Sequence, residues 1–440
     1  MGSSARQCPL SPKRKMDKTV IALVDCNAFF CSCERLFRPD LWRRPVGVLS
    51  NNDGCFVSRT KELKALGVKM GQPFFEVKEL CQKNQVAVFS ANFALYTNIS
   101  DRVMNVLKTM APLIEVYSVD EAFLDWSGMS HQNLEQMARE VRLRVWKEIG
   151  IPVSVGVAPT KVLAKLSNQL AKKQNNLKGV LVLDNQMKTI KAMQQTPIGD
   201  LWGVGTRSAQ KFQLMNIHTA YDLYANKNER RIQKVFTKVG RKIQDELRGV
   251  SCFPLKLYGE RKQQIHCSRS FGKLIYERSQ LEEALANFIS KAMVKLRAQQ
   301  SLVQGLSIYF STSPFRQGFQ HEVYENLSLS FATQDTRKVI TLAIAVVRQR
   351  FQYGMGYYKA GIGLSHLIHQ EFEQLDLFVD GDDEQNRTLM KVMDHINAIE
   401  GADTLKSMAC RLQDKMQWKM RQELRSPRYV TGWSELRTVT

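Results

Sequence analysis

Tyr117-Ser118-Val119-Asp120-Glu121-Ala122-Phe123 sets two adjacent acids inside a stretch that otherwise asks for burial. The flanking residues from Ile114 to Trp126 are β-rich on both sides of the acids, which predicts a hairpin with Asp120 and Glu121 at its turn. Upstream, Thr19-Val20-Ile21-Ala22-Leu23-Val24 is a continuous apolar run that stops at Asp25, the pattern of a buried strand. Taken singly, Asp25 could cap the helix that follows it, and Asp120-Glu121 could be a solvated turn. Their apolar surroundings favour another reading. Unpaired carboxylates are costly to bury, and metal coordination would offset that cost. Phosphoryl transfer needs such a site, because its transition state is stabilised mainly by positioning and charge. Two Mg²⁺ ions want oxygen ligands on rigid strand ends and complete their shells with water and substrate phosphates.

Outward from the acids, Ala28 to Leu36 reads as a helix and Val46 to Ser50 as a strand, followed by the polar turn Asn51 to Gly54. His131 to Ile149 has helical periodicity, with Ser130 as its expected cap. Val153 to Val157 is a predicted strand and Lys161 to Ala171 a predicted helix. After about residue 186, short helices with glycine turns predict a small helical unit up to Arg248. Strands return from Phe253. Ser279-Gln280-Leu281-Glu282 reads as a capping box opening a helix. Strands near 306–310, 327–331 and 359–364 and a second helix over 336–351 complete a β-α-β-β-α-β plan. The tail is polar, with an acidic patch from Asp380 to Glu384 and then Leu389, Val392, Met393 and Ile396 on one predicted apolar face.

Length and composition agree with several domains. The chain has 440 residues, 44% hydrophobic, with 63 Lys and Arg against 42 Asp and Glu, a net charge of +21. That surplus attracts a polyanion, and nucleic acid is the commonest one for a soluble protein. A generally basic surface is the bland alternative. No apolar run reaches the roughly 20 residues of a membrane span. Met1 to Lys18 lacks the apolar core of a signal peptide, so a cytoplasmic protein is expected, with Met1 or Met16 as its start. Nine cysteines without a C-x-x-C pair read as free thiols. His366 and His369 lack companion ligands and read as packing or surface residues.

Asp25-Cys26-Asn27-Ala28-Phe29-Phe30 and Tyr117 to Phe123 together resemble the two acidic motifs of the Y-family DNA polymerases. The wider match, to the UmuC-like branch, includes Arg38 to Leu41, Val48 to Cys55, Lys64 to Val68, Cys267 to Gly272 and Ser426-Pro427-Arg428-Tyr429. The resemblance implies an α+β right-hand polymerase. Its parts would be a basic extension (1–18), a ferredoxin-like palm (19–29 and 87–185), small fingers (30–86), a helical thumb with a helix-hairpin-helix (186–252), a β-α-β-β-α-β little finger (253–367) and a tail (368–440). It also implies roles. Asp25, Asp120 and Glu121 would be catalytic and hold two Mg²⁺ ions with the carbonyl of Cys26. Phe29, Phe30, Arg59, Lys64 and Lys172 would face the deoxynucleoside triphosphate, with Phe30 as the ring that excludes a ribose 2′-hydroxyl. UmuC-like members usually carry tyrosine there, and phenylalanine keeps the bulk. Without the family, Phe30 reads equally as a core aromatic, and each lone Lys or Arg as a solvated residue.

Gly203-Val204-Gly205, followed by a helix, matches a hairpin whose amides meet a DNA phosphate. Arg269, with Lys273, Lys291, Lys295 and Arg297, would give sequence-independent contacts to primer-template DNA. Gln374-Leu375-Asp376-Leu377-Phe378 resembles the peptide by which bacterial polymerases bind the sliding clamp, and its bland alternative is a patch folding back on its own domain. A processed UmuD-like dimer and a RecA filament are partners implied by the resemblance. The expected function is error-prone synthesis across damaged template. The competing readings are a non-catalytic scaffold binding DNA and clamp, which the intact acidic trio opposes, and a palm-type nucleotide cyclase, which the basic surplus opposes.

Overall fold

The computed structural model describes residues 19–129, 132–257, 259–315, 318–372, 384–410 and 420–430, with Asp382, Trp418, Gly432 and Glu435. The chain divides into two compact units. One contains the chain up to Val48, Phe56–Gly259 and everything from Arg425; the other contains Leu49–Cys55 and Glu260–Leu424.

The first unit opens with β1 (Ile21–Cys26), α1 (Phe29–Leu36), β2 (Val46–Leu49), β3 (Phe56–Arg59), α2 (Lys61–Ala65), α3 (Lys78–Lys83) and β4 (Ala87–Ser90). It continues with α4 (Phe93–Lys108), β5 (Leu113–Val116), β6 (Glu121–Asp125), α5 (Leu134–Ile149), β7 (Val153–Ala158), α6 (Lys161–Lys173) and β8 (Val180–Val182). The helices α7 (Gln186–Gln194), α8 (Thr206–Gln213), α9 (Ala220–Ala225) and α10 (Glu229–Leu247) follow. The strands make a sheet in the order β5-β6-β1-β7-β8 and a smaller one in the order β3-β2-β4.

The apolar run of β1 explains its place. Every residue of the strand is buried, because it is the middle strand of five. With a side-chain period of two, successive residues serve opposite faces. Ala22, Val24 and Cys26 enter one core with Ala122 and Leu124. Ile21 and Leu23 enter the other, with Phe123 and the inner face of α6. Two cores are therefore stitched by one strand, which is why it lacks a polar alternation.

The second unit is β9 (Ile265–Ile275), α11 (Arg278–Ala298), β10 (Ser301–Thr312), β11 (Glu322–Thr333), α12 (Thr336–Arg350) and β12 (Tyr357–His369), the β-α-β-β-α-β succession expected. Its sheet runs β11-β10-β12-β9, all antiparallel. Leu281, Leu285, Phe288, Ala292 and Leu296 of α11 fill its core, as their spacing predicts. A further helix, α13 (Glu384–Ile399), is tied to α11 by a two-pronged pair from Arg297 to Asp394, at 2.6 and 2.7 Å. Among the described residues no helix is long and apolar enough to cross a membrane.

Several local expectations change. The α11 helix starts at Arg278, one residue before the expected capping serine, and its N-cap Glu277 makes no side-chain cap. Glu282 is drawn instead to Arg278 and Arg348, at 3.3 and 3.4 Å. On α13 it is Met390 that is buried, while Leu389 and Val392 of the predicted apolar face are exposed. Asp382, read as part of an acidic patch in a polar tail, is buried and accepts from the Thr333 hydroxyl and the Gln334 amide. The cap of α5 is Asn133, whose side chain accepts from the Gln136 amide. Ser130 and the segment 374–378 lie outside the described residues. The described cysteines are all free thiols, and His369 is buried beside Glu371.

Candidate active site

The site is set by strand register. Asp25 of β1 stands directly opposite Glu121 of β6, one step on from the pair Val24 and Ala122. By the two-residue period both acids fall on the face of Leu23 and Phe123, under α6. The hairpin places Asp120 one residue before β6, and its carbonyl accepts the Cys26 amide at 2.8 Å. Main-chain hydrogen bonding thus fixes the ends of β1 and β6 against each other.

The α6 helix supplies the opposing charge. Gly156 of β7 permits its close approach: a Cβ there would lie 2.2 Å from the Asn168 amide nitrogen and 2.5 Å from the Ala164 carbonyl oxygen. Asn168 then donates to the Leu23 and Ser154 carbonyls, at 3.1 and 2.8 Å, riveting helix to sheet. So held, Lys165 pairs with Glu121 at 2.9 Å and Lys172 pairs with Asp25. These lysines lie seven residues apart, two turns on one helix face.

Burial pushes the Asp25 carboxyl up to about 7, against the pull of Lys172, and its contact with Glu121 pushes the same way. Glu121 is itself desolvated, but the hydrogen bonds it accepts from Asp25 and Lys165 hold it below the usual carboxylate range. The two carboxyls are thus shifted in opposite directions, each beside a lysine. The third acid is less closely engaged: Asp120 is half-buried, and its carboxylate accepts from the Ser118 hydroxyl at 2.6 Å. Among the described residues no three acids, histidines or cysteines are closed around a common ion position. The donor set nevertheless suits a hard divalent cation, since adjoining carboxylates on strand ends are hard oxygen donors whose charge a cation would balance. The Cys26 thiol points elsewhere: it is fully buried, and burial raises it well above its ordinary value.

Asp25 and Glu121 line a small cavity of about 260 Å³ with Lys165 and Lys172, and Lys172 also lines a neighbouring cavity of about 500 Å³ with Arg35, Arg59, Lys61, Lys64 and Lys178, among others. Lys64 is held below the usual lysine range by burial and then by repulsion from Arg59 and Lys172. The Arg59 Nε is buried without a hydrogen-bond partner. Crowded cations and an orphaned donor are the chemistry of an anion site. The floor of the larger cavity is the turn from β1 to α1, where Ala28 adopts a left-handed conformation at φ 45°. Strain of this kind at a non-glycine residue persists where surrounding structure imposes it, and it gathers at functional sites.

The two phenylalanines of this turn separate. Phe29 is buried in the core, whereas Phe30 is half-buried. The Phe30 ring stacks on Tyr96 at 4.5 Å and 14° and meets Phe93 edge-on at 5.9 Å. In the helical part, Gly203 is required by its φ of +88° and by Ile243, whose Cδ1 would lie 2.8 Å from a Cβ. Val204 is buried, and Gly205 caps α8 without a side-chain hydrogen bond, which leaves first-turn amides available. In the second unit Arg269 is exposed on β9, its guanidinium donating to the Ser268 carbonyl at 2.7 Å. Arg297, by contrast, is spent on Asp394.

Sequence reasoning missed Lys165, Phe93 and Tyr96. The signal for Lys165 was its spacing from Lys172 on one helix. Tyr96 offered none, because its partner Phe30 lies far away in the chain.

The comparisons with known proteins fit this geometry. Residues 24–169 match the impB/mucB/samB family and residues 262–377 the C-terminal domain of the same family. Residues 387–439 match a domain of unknown function, DUF4113. Protein UmuC of Salmonella typhimurium strain LT2 is 39% identical, over 95% of this chain and 99% of its own. Protein MucB of Escherichia coli is 36% identical, over 96% and 100%. A more distant relative, DNA polymerase IV of Bacillus velezensis, is 24% identical over 89% and 92%. A solved Y-family DNA polymerase chimera of Dbh and Dpo4 superposes with a TM-score of 0.63 at 20% identity, covering 80% of this chain and 99% of its own. The chain belongs to the impB/mucB/samB family and has the fold of the Y-family DNA polymerases.

Proposed function

We propose that this protein is a template-directed, error-prone DNA polymerase that copies damaged template by nucleotidyl transfer with two Mg²⁺ ions. The observation that carries the reading is the face-to-face register of Asp25 and Glu121, with Lys172 joining Asp25 to a basic cavity of about 500 Å³. Asp25, Asp120, Glu121 and the Cys26 carbonyl would hold the ions. Bound there, divalent cations would neutralise the reacting phosphates and favour the primer 3′-hydroxyl as nucleophile. The chain's own residues do the rest. Arg59, Lys64 and Lys172 receive the triphosphate charge, and Lys172 can exchange its Asp25 contact for a phosphate oxygen. Phe30, backed by Tyr96, stands where bulk would exclude a ribose 2′-hydroxyl. The amides at Gly203 to Gly205 and the side chain of Arg269 hold primer-template backbone without reading sequence.

On this reading the first unit comprises palm, fingers and helical thumb, and the second the little finger. Gln374 to Phe378 would bind the sliding clamp, and a processed UmuD-like dimer and a RecA filament would act with the protein in the cytoplasm. Primer extension with Mg²⁺ and deoxynucleotides, on intact and lesion-bearing templates, tests the proposal. Extension is expected, and it should be lost in Asp120→Ala and Glu121→Ala while primer-template binding survives. A folded parent that binds DNA and extends no primer would leave only a scaffold.

A further inference from the structure

The end of the chain returns to the first unit at Arg425, which bridges to Ser90 of β4. The next residue, Ser426, is buried, and its hydroxyl donates to Glu34 Oε1 at 3.2 Å. The Tyr96 hydroxyl donates to the same oxygen at 2.6 Å. Asn92, the cap of α4, donates to the Ser426 hydroxyl at 3.1 Å. A third anchor is Tyr429, stacked on Phe37 at 4.5 Å and 8°. We propose that this C-terminal segment is a positioning element for nucleotide choice, in which Ser426 fixes Glu34, Glu34 fixes the Tyr96 hydroxyl, and the Tyr96 ring sets the pose of Phe30.

Helical spacing makes the relay short. Phe30 and Glu34 are four residues apart on α1, and Asn92 and Tyr96 four apart at the start of α4, so each pair shares a face. The chain of contacts runs from Ser426 to Glu34, to Tyr96, to the ring stacked on it, with every link described above. Simple packing does not explain its chemistry. Glu34 is fully buried, and its second oxygen, Oε2, has no partner. A leucine-like group would fill such a space without that cost, whereas a carboxyl gives Tyr96 one fixed direction. Burial pushes Glu34 up to about 7, which agrees with a group retained for hydrogen bonding and not for charge. The segment lies inside the match to a domain of unknown function, so this assigns part of that domain a task.

The inference rests on Phe30 facing the sugar, and the test separates the two. The ratio of deoxynucleotide to ribonucleotide kcat/KM in single-nucleotide insertion is measured for the full-length parent, Phe30→Ala, Ser426→Ala, Glu34→Ala and Glu34→Gln. A ratio is indifferent to the fraction of enzyme folded. Ser426→Cys, which keeps the volume with a weaker donor, replaces alanine where folding fails. Phe30→Ala should lower the ratio most. Ser426→Ala and Glu34→Ala should lower it by about three- to tenfold, as expected for sub-ångström misplacement, and Glu34→Gln should recover the parent value. A shift in Phe30→Ala alone overturns the relay and leaves the sugar-facing ring. No shift in any variant overturns both. A shift in the tail variants without one in Phe30→Ala overturns the route through Phe30.

Discussion

Asp25 and Glu34 are buried carboxyls nine residues apart, and burial raises both to about 7. Their surroundings differ in kind. Asp25 touches a second carboxyl and the ammonium of Lys172, which also lines a basic cavity. Among the described residues, the hydrogen-bond partners of the Glu34 carboxyl are the hydroxyls of Tyr96 and Ser426. A perturbed carboxyl therefore does not by itself mark catalysis. What marks it is the company of groups that demand a cation on one side and an anion on the other.

The sharpest way to break the comparison is to exchange each carboxyl for its amide. Asp25→Asn should cost at least about 1,000-fold in insertion rate, since on the proposed function it removes a charge at the reacting centre. Glu34→Gln should cost less than about tenfold, because it preserves shape and an acceptor. Comparable losses, read by pre-steady-state insertion, would erase the distinction. A smaller effect is expected at Phe30. Phe30→Ala should relax sugar discrimination by roughly tenfold to a hundredfold, the scale on which a pocket rejects one hydroxyl, and an unchanged ratio would return Phe30 to a packing role. Lys172→Met should raise the nucleotide KM by about tenfold, the worth of one charge-assisted hydrogen bond, and a loss confined to kcat would place this lysine with the acids and not with the triphosphate.

The smallest effect is a pH dependence. Glu34 is raised in the folded state, so its contribution to stability is fully present below its unfolded value of 4.5 and is lost as pH rises through about 7. Glu34→Gln cannot titrate. The melting temperature of the variant relative to the parent should therefore rise between pH 5 and pH 8, by roughly 2 °C or more. A difference that stays flat over that window would mean that Glu34 is ionised in the fold.

Much of this was legible in the residues. The unbroken apolar run before Asp25 announced a buried strand, and the acids inside β-rich sequence announced a hairpin at the site. Both follow from local pattern, which fixes face and period. The β-α-β-β-α-β order of the second unit was legible for the same reason. What was hidden depends on pairing across distance. The register that sets Asp25 against Glu121 is a property of two strands, and the Lys165 and Lys172 contacts require the close approach at Gly156. The path from Ser426 to Phe30 joins residues from the two ends of the chain, and no window of sequence contains it. The failed capping box at Ser279 shows the converse, since a correct local motif lost to ion pairs with Arg278 and, from α12, Arg348.

The central claim is that the acids at the ends of β1 and β6 exist to hold divalent cations. It is tested most directly by Mn²⁺ titration, read by electron paramagnetic resonance, of the protein bound to a dideoxy-terminated primer-template and the matched deoxynucleotide. The parent should bind Mn²⁺ in this complex, and Asp25→Asn should bind it at least about tenfold more weakly while holding DNA as the parent does. Equal Mn²⁺ affinity in Asp25→Asn and the parent would contradict the account.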